Sequence, residues 1–162
     1  MKEILLTRGH VAVIDDEDYE LLSEYRWVTL EPRPGIFYAV TYFKRADGKW
    51  RSRYMHRILC PGGQVVDHID HNGLNNTRKN LRAATYSQNL GNMYVLLPNK
   101  ASRYKGVGRD GGRWKGRIRV SGKLIHLGLY DDEIDAAKAY DVAAHKYFGE
   151  FARTNEMLGL YS

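Results

Sequence analysis

The chain has 162 residues, 43% of them hydrophobic, enough for one domain or for two small ones that each bury a core. A net charge of +6 and a pI near 9.4 favour an anionic partner, and no apolar run approaches the roughly 18 residues that a membrane-spanning helix needs. Cys60 is the single cysteine, which excludes an internal disulfide and a CxxC zinc knuckle, and the apolar run in Met1–Arg8 is too short for a signal peptide, so a soluble, cytoplasmic protein is expected.

Residues 4–14 carry Ile4, Leu5 and Leu6, then Val11 to Ile14 across Arg8-Gly9-His10, the pattern of a hairpin. Asp15-Asp16-Glu17-Asp18 caps a short helix expected over Tyr19 to Tyr25. Trp27 to Leu30 reads as a strand, broken by Glu31-Pro32-Arg33-Pro34-Gly35. Phe37 to Tyr42 and Trp50 to Tyr54 pair across Ala46-Asp47-Gly48, whose Asp-Gly is a strong hairpin signal. Charge changes sign along this half: Asp15 to Glu31 holds seven acids and one Arg, whereas Lys44 to Arg57 holds six basic residues and one Asp. The acidic run reads as a solvated face, and the basic hairpin, with Arg51 and Arg53, as a surface for phosphates.

Val65 and Val66 end a strand that delivers Asp67 and His68 to the lip of a turn over Asp70 to Asn76. Leu81 to Ala84 is a short return strand. Thr85-Tyr86-Ser87-Gln88 has the capping-box pattern of a helix start, which places Asn89 in the first turns, able to point back at Asp67. A carboxylate and an amide oxygen are hard ligands that suit Mg²⁺ or Mn²⁺ better than Zn²⁺. A neutral imidazole beside them can take a proton from water at pH 7. Asn75 and Asn76 read as turn residues only, and His56 as a packing residue. The stretch from Leu90 to Ala101 contains Gly91, Asn92, Pro98 and Asn99 and reads as a linker, set at 94–101.

Beyond it, Arg103 to Arg153 reads as three strands and a helix. Arg113 to Val120 alternates, so Arg113, Lys115, Arg117 and Arg119 face one way and Trp114, Ile118 and Val120 the other. Arg103, Lys105 and Arg109 share one parity on the strand before, and Lys123 follows at the next turn. Arg103 to Lys123 holds eight basic residues and one acid, so a positively charged face is expected. Asp131 to Phe148 is the helix, with acids at its start and Ala136, Ala137, Ala139, Ala143 and Ala144 allowing close approach to the sheet. Such a face fits the DNA major groove, with Arg contacting guanine and Lys phosphates.

The segment Val66 to Arg82 with Ala83 to Asn89, preceded by Tyr54-Met55-His56-Arg57-Ile58, resembles the HNH endonucleases, the ββα-metal nucleases of many phage and intron homing systems. By that resemblance Asp67 and Asn89 are metal ligands for one Mg²⁺ or Mn²⁺, His68 is the general base, and Asn80 ties down the loop. His71 stands where the family has Gly or another small residue, which leaves a second imidazole as a rival base. Residues 102–155, through Tyr104-Lys105-Gly106-Val107, Trp114, Ile118-Arg119, Leu127 to Tyr130, Asp135 to Ala144 and Phe148-Gly149, resemble the Apetala/ethylene-response-factor DNA-binding domain. That likeness implies DNA-facing roles for Lys105, Arg109, Arg117, Arg119 and His126, with Trp114 either in the core or near the DNA backbone.

The expected fold is therefore α+β: an HNH module with extra strands over 1–93, the linker, and over 102–162 a three-stranded antiparallel sheet packed on one helix. The expected function is a homing-type DNA endonuclease, encoded by a phage or bacterium, that nicks double-stranded DNA as a monomer and breaks both strands as a homodimer. The rival reading is a non-catalytic DNA-binding regulator with a disabled nuclease fold.

Overall fold

The computed structural model describes residues 1–93 and 101–161, and they form two compact units, Met1–Ala84 and Thr85–Ser162. The linker expected over 94–101 lies, apart from Ala101, outside the described residues. Both units are mixed, with small antiparallel sheets and short helices, and no described helix is long and apolar enough to cross a membrane.

In the first unit, β1 (Lys2–Leu5) and β2 (Val11–Ile14) form the expected hairpin, in which Leu5 pairs Val11. A 3-10 turn over Asp16–Asp18 leads into α1 (Tyr19–Ser23), two residues shorter than expected. β3 (Val28–Arg33) runs through Pro32 with a register shift between Leu30 and Arg33, so the expected break is an irregular strand end followed by a hairpin turn. Pro32 is tolerated because β3 is an edge strand in the order β3-β4-β5. β4 (Ile36–Lys44) pairs with β5 (Trp50–Tyr54), and α2 (Met55–Leu59), absent from the sequence reading, follows at once. Five residues of mixed character carry too little periodicity for a helix to be read. β6 (Val65–His68) and β7 (Leu81–Ala84) close the unit. Ala12, Ile14, Leu22, Ala39 and Met55 are almost wholly buried at the centre of its core, with Trp27, Leu59, Val66 and Leu81 around them.

The acidic run is not simply a solvated face. Asp18 is 2% exposed and takes Arg78 Nη2 at 2.6 Å and Nε at 3.0 Å, while Asp15 Oδ2 accepts the Arg78 N–H at 2.7 Å. Val13 adds a bridge to Asn75: its N–H donates to Leu74 O (2.9 Å) and its carbonyl accepts from the Asn76 N–H (2.8 Å). The N-terminal segment therefore fastens the middle and the C-terminal end of the 69–80 loop.

The second unit starts with α3 (Tyr86–Asn92). Thr85 caps it with a complete capping box: its Oγ1 accepts from the Gln88 N–H while Gln88 Oε1 accepts from the Thr85 N–H. Gly91 lies against the Phe148 ring, where a Cβ would collide, so α3 is seated on the C-terminal helix of its own unit. β8 (Val107–Asp110), β9 (Arg113–Val120) and β10 (Lys123–Tyr130) form an antiparallel sheet with β9 central, covered by α4 (Glu133–Phe148). Asp132 caps α4 through the N–H groups of Ile134 and Asp135. Tyr104, Val107, Ala136 and Ala137 form the buried centre between sheet and helix. Buried Asp141 accepts from the Asn155 and Glu156 N–H groups, Asn155 Nδ2 and the Tyr161 hydroxyl, which ties the C-terminal segment to α4.

Candidate functional site

The β6–β7 register sets Asp67 opposite Arg82 and His68 opposite Leu81. Asp67 is 4% exposed, and its Oδ2 accepts from Arg82 Nε and Nη2, both at 2.8 Å. A carboxylate this buried needs such a partner, because an unpaired charge would cost several kcal/mol. Arg82 carries no assignment from the sequence; counting residues back across the turn from Asp67 would have found it as the cross-strand partner.

His68 is 6% exposed, with Nε2 at 3.5 Å from Asn76 Oδ1. Burial lowers its proton affinity, opposed by the Asn76 bond and by the charges of Asp70 and Asp67, so the ring is neutral at pH 7. Around it stand Tyr38, Tyr54 and His56: the His56 ring lies edge-on to His68 at 5.0 Å, Tyr54 stacks on His56 at 5.1 Å, and Tyr38 is 5.9 Å from His68. His56 is itself buried, and burial together with the charges of His68 and Arg57 pushes its pKa down to about 3. Asn76 is therefore more than a turn residue. It is fully buried, its N–H is held by Val13 O, and its side chain meets the imidazole. Nothing in an Asn-Asn dipeptide marks it out; the contact depends on the N-terminal hairpin.

Asn80 holds the loop from within. Its Oδ1 accepts the Asp70 N–H (3.0 Å), and its Nδ2 donates to Asp70 Oδ1 and Asn75 O, both at 2.8 Å. Burial would raise the Asp70 carboxyl, but bonds from the Asn72 N–H, Asn75 and Asn80 carry it below the usual range. Gly73 lies so close to Phe37 O and the Tyr38 ring that a Cβ would not fit, which presses the loop onto β4. His71 adopts φ +66, in the left-handed region that favours glycine, so the departure from the family pattern sits at the one loop position that disfavours it. Its ring is exposed, unlike that of His68.

Asn89 lies in the first turns of α3, partly buried, on the unit that starts at Thr85, whereas Asp67 and His68 belong to the first. No group of three or more His, Cys, Asp and Glu suited to a metal occurs among the described residues. The donors that the sequence reading selects are one carboxylate and one amide, a hard-oxygen pair that leaves most positions of an Mg²⁺-like ion to water and phosphate.

In the second unit, Arg113, Lys115, Arg117 and Arg119 lie on one face of β9, with Ile118 and Gly116 buried on the other. Arg117 pairs with His126 and Arg119 with Leu124, which adds both to that face, and a register shift between His126 and Gly128 returns Leu129 to it beside Lys115. Arg113 is ion-paired with Asp131 (2.9 Å) and Lys115 with Asp110 (3.1 Å). One expectation is corrected. Lys105 is 7% exposed and does not face outward: its Nζ donates to Gly91 O (3.0 Å) and Arg153 O (2.8 Å). Arg109 is exposed on β8: it pairs in register with Trp114, its guanidinium lies 3.5 Å from the Trp114 ring centroid, and its Nη1 donates to Gly112 O (3.1 Å). β8 begins only at Val107, so Arg103 and Lys105 precede it, Lys105 in the turn at Gly106 (φ +75), and strand alternation does not reach them. Trp114 itself is half-buried against the core of the unit. Arg103 is exposed, with its guanidinium bonded to Leu160 O and lying over Tyr104. Lys123 is exposed beside the Ser121-Gly122 turn. In the first unit Arg51 and Arg53 are exposed on β5.

The HNH endonuclease family model matches residues 53–90, a span that contains Asp67, His68, Asn80 and Asn89. An HNH endonuclease of Acanthamoeba polyphaga mimivirus is 31% identical over 156 residues, 93% of this chain and 77% of the relative. The C-terminal part is similar to two Arabidopsis thaliana proteins. The AP2-like ethylene-responsive transcription factor AIL7 is 39% identical over 80 residues, 41% of this chain and 16% of that protein. The ethylene-responsive transcription factor WRI1 is 50% identical over 58 residues, 33% of this chain and 14% of that protein. The match to the mimivirus protein runs through most of both chains, and this protein belongs to the HNH endonuclease family.

Proposed function

We propose that this protein is a DNA endonuclease of the homing type, in which His68 is the general base and the C-terminal sheet holds the target. The observation that carries the reading is the setting of His68: an imidazole 6% exposed, next to the buried Asp67 carboxylate and in contact with Asn76, where burial lowers its proton affinity. A base must be unprotonated at working pH and held within reach of its proton, and burial supplies the first condition. Asn76 supports the second. With Nε2–H donating to Asn76 Oδ1, Nδ1 is the nitrogen that accepts a proton from water.

Asp67 and Asn89 would hold one Mg²⁺ or Mn²⁺, which when bound supplies positive charge to the scissile phosphate and to the leaving 3′-oxygen. Arg82 orients the Asp67 carboxylate through two bonds to Oδ2. Asn80 keeps the 69–80 loop closed over the strand ends, and His56, neutral because of its burial, walls the imidazole without competing for its charge. His68 takes one proton from water, the oxygen attacks phosphorus, the phosphorus–O3′ bond breaks, and the leaving 3′-oxygen takes a proton from a solvent water, giving 5′-phosphate and 3′-hydroxyl ends. One such site cuts one strand, so a monomer nicks and a homodimer breaks the duplex. The face of Arg113, Lys115, Arg117, Arg119 and His126, with Lys123 at its end and Arg103 nearby in sequence, is the surface for duplex DNA.

A supercoiled plasmid with Mg²⁺ or Mn²⁺ tests this. The parent chain converts it to open circles, and His68→Ala, which loses a contribution of roughly 10²–10⁴-fold, leaves it supercoiled while still binding. A parent that binds DNA without nicking it refutes the nuclease and favours a regulator with a disabled nuclease fold.

A further inference from the structure

The outer half of the β4–β5 hairpin stands apart from the core. β3 pairs with β4 only as far as Val40, Thr41 is still buried, and from Tyr42 outward β4 is strand-paired with β5 alone: Tyr42 with Ser52, Phe43 with Arg51, Lys44 with Trp50. An isolated two-stranded ribbon is marginal in water, and it gains little from aromatic surface left in solvent. This one nevertheless exposes rings on both faces. Tyr42 and Trp50, 52% and 65% exposed, share a face with Lys44 and Ser52; Phe43, 37% exposed, shares the other with Arg51 and Arg53, whose guanidinium lies 4.8 Å from its ring.

The tip is ordered. Arg45 N–H donates to Lys49 O and Gly48 N–H to Arg45 O, both at 2.9 Å, and Asp47 Oδ1 accepts the Lys49 N–H. Gly48, at φ +79, supplies the left-handed residue that this turn needs. Residues 42–53 contain five basic side chains and one acid, and that acid is occupied at the turn.

Its position decides what it meets. The same two strands supply Tyr38 and Tyr54, whose rings stand around His56 and His68. Trp50 is four residues from Tyr54, about 13 Å at roughly 3.3 Å per residue, and a duplex spans that in about four base pairs. A duplex that lies over His68 and runs along β5 therefore passes beside the ribbon.

We propose that the outer β4–β5 ribbon is a second DNA-contact element, separate from the C-terminal sheet. It lies in a groove of the duplex within about one helical turn of the scissile phosphate. Arg51 and Arg53 neutralise phosphates, while Tyr42 and Trp50 pack on deoxyriboses and base edges and so fix which phosphodiester reaches the imidazole. The inference rests on the nuclease reading and adds the surface that registers the substrate.

The test is metal-free binding of the full chain to a mixed-sequence duplex of about 30 base pairs, by fluorescence anisotropy from roughly 50 to 300 mM salt. The double variant Arg51→Gln/Arg53→Gln lowers the slope of log K against log salt by about 1.8, two phosphates at about 0.9 each. Arg51→Lys/Arg53→Lys keeps the slope, which separates charge loss from misfolding. Trp50→Ala binds about tenfold more weakly at one salt with the slope unchanged, because an apolar contact releases no counterions. Lys138→Gln, exposed on α4, changes neither. An unchanged slope in the Gln pair, an unchanged affinity in Trp50→Ala, or both effects on a single strand but not on the duplex overturns the proposal. A chain that shows these effects but never nicks DNA sinks the nuclease reading alone; one that nicks with the ribbon variants binding like the parent sinks the ribbon alone.

Discussion

Replacing Lys105 by Met separates a buried structural lysine from a DNA contact. The ammonium donates to Gly91 O and Arg153 O, so it joins α3 to the C-terminal segment, and its aliphatic stem is buried with it. Met keeps the stem and removes both bonds. Each charge-assisted bond is worth roughly 1.5–3 kcal/mol, offset in part by the relief of burying an ammonium, so the expected loss is about 2–4 kcal/mol. For a unit of about 80 residues this lowers Tm by roughly 8–32 °C at about 4–8 °C per kcal/mol. Two measurements on the full chain check it: thermal unfolding by circular dichroism, and the salt dependence of duplex binding at a temperature where the variant is folded. Lys105→Met unfolds early and binds with the parent's slope, whereas Arg119→Gln keeps the parent's Tm and loses about 0.9 of the slope. If Lys105→Met melted with the parent and lost a unit of slope, the lysine would be a phosphate contact and its burial would be misread.

Further outcomes follow from the same contacts. Arg82→Met leaves the Asp67 carboxylate buried without its partner and destabilises the first unit by about 3 kcal/mol, seen as a lower denaturant midpoint. His71→Gly removes a side chain from φ +66 and stabilises by up to about 1 kcal/mol, with plasmid nicking unchanged; loss of nicking would make His71 the base. His56 is depressed to about 3 in the folded chain against 6.5 when unfolded, so the unfolded state binds more protons between those values. Its stability contribution is complete above pH 6.5 and falls as pH drops toward 3, by up to about 1.4 kcal/mol per pH unit. Denaturation of the parent at neutral and mildly acidic pH shows this loss, and His56→Phe reduces it.

Much of the path from sequence to site ran through short-range rules. The capping box at Thr85 and Gln88, the Asp-Gly turn of the β4–β5 ribbon and the alternation of β9 are local, and each is present where spacing put it. The residues that were missed depend on long-range contacts. Asn76 meets His68 because Val13, more than 60 positions earlier, holds its backbone, and Asp18 is buried because Arg78 reaches it. Lys105 belongs with them: it lies in the turn before β8, where alternation does not apply, and its ammonium is buried by Gly91 and Arg153, 14 and 48 positions away. The metal pair is the part least legible from geometry, since Asp67 and Asn89 fall in different units and are joined by the spacing of their motif.

That pair is the account's central claim, and single-turnover cleavage of plasmid DNA by Asp67→Ala, Asn89→Ala and the double variant tests it most directly. If the two oxygens hold one ion, each single change slows cleavage by about 10²-fold or more, and the double variant is slower than the worse single by no more than about tenfold, because the second change removes a ligand from a site already lost. Penalties that multiply in the double variant, or an Asn89→Ala chain that cuts at the parent's rate, would contradict it.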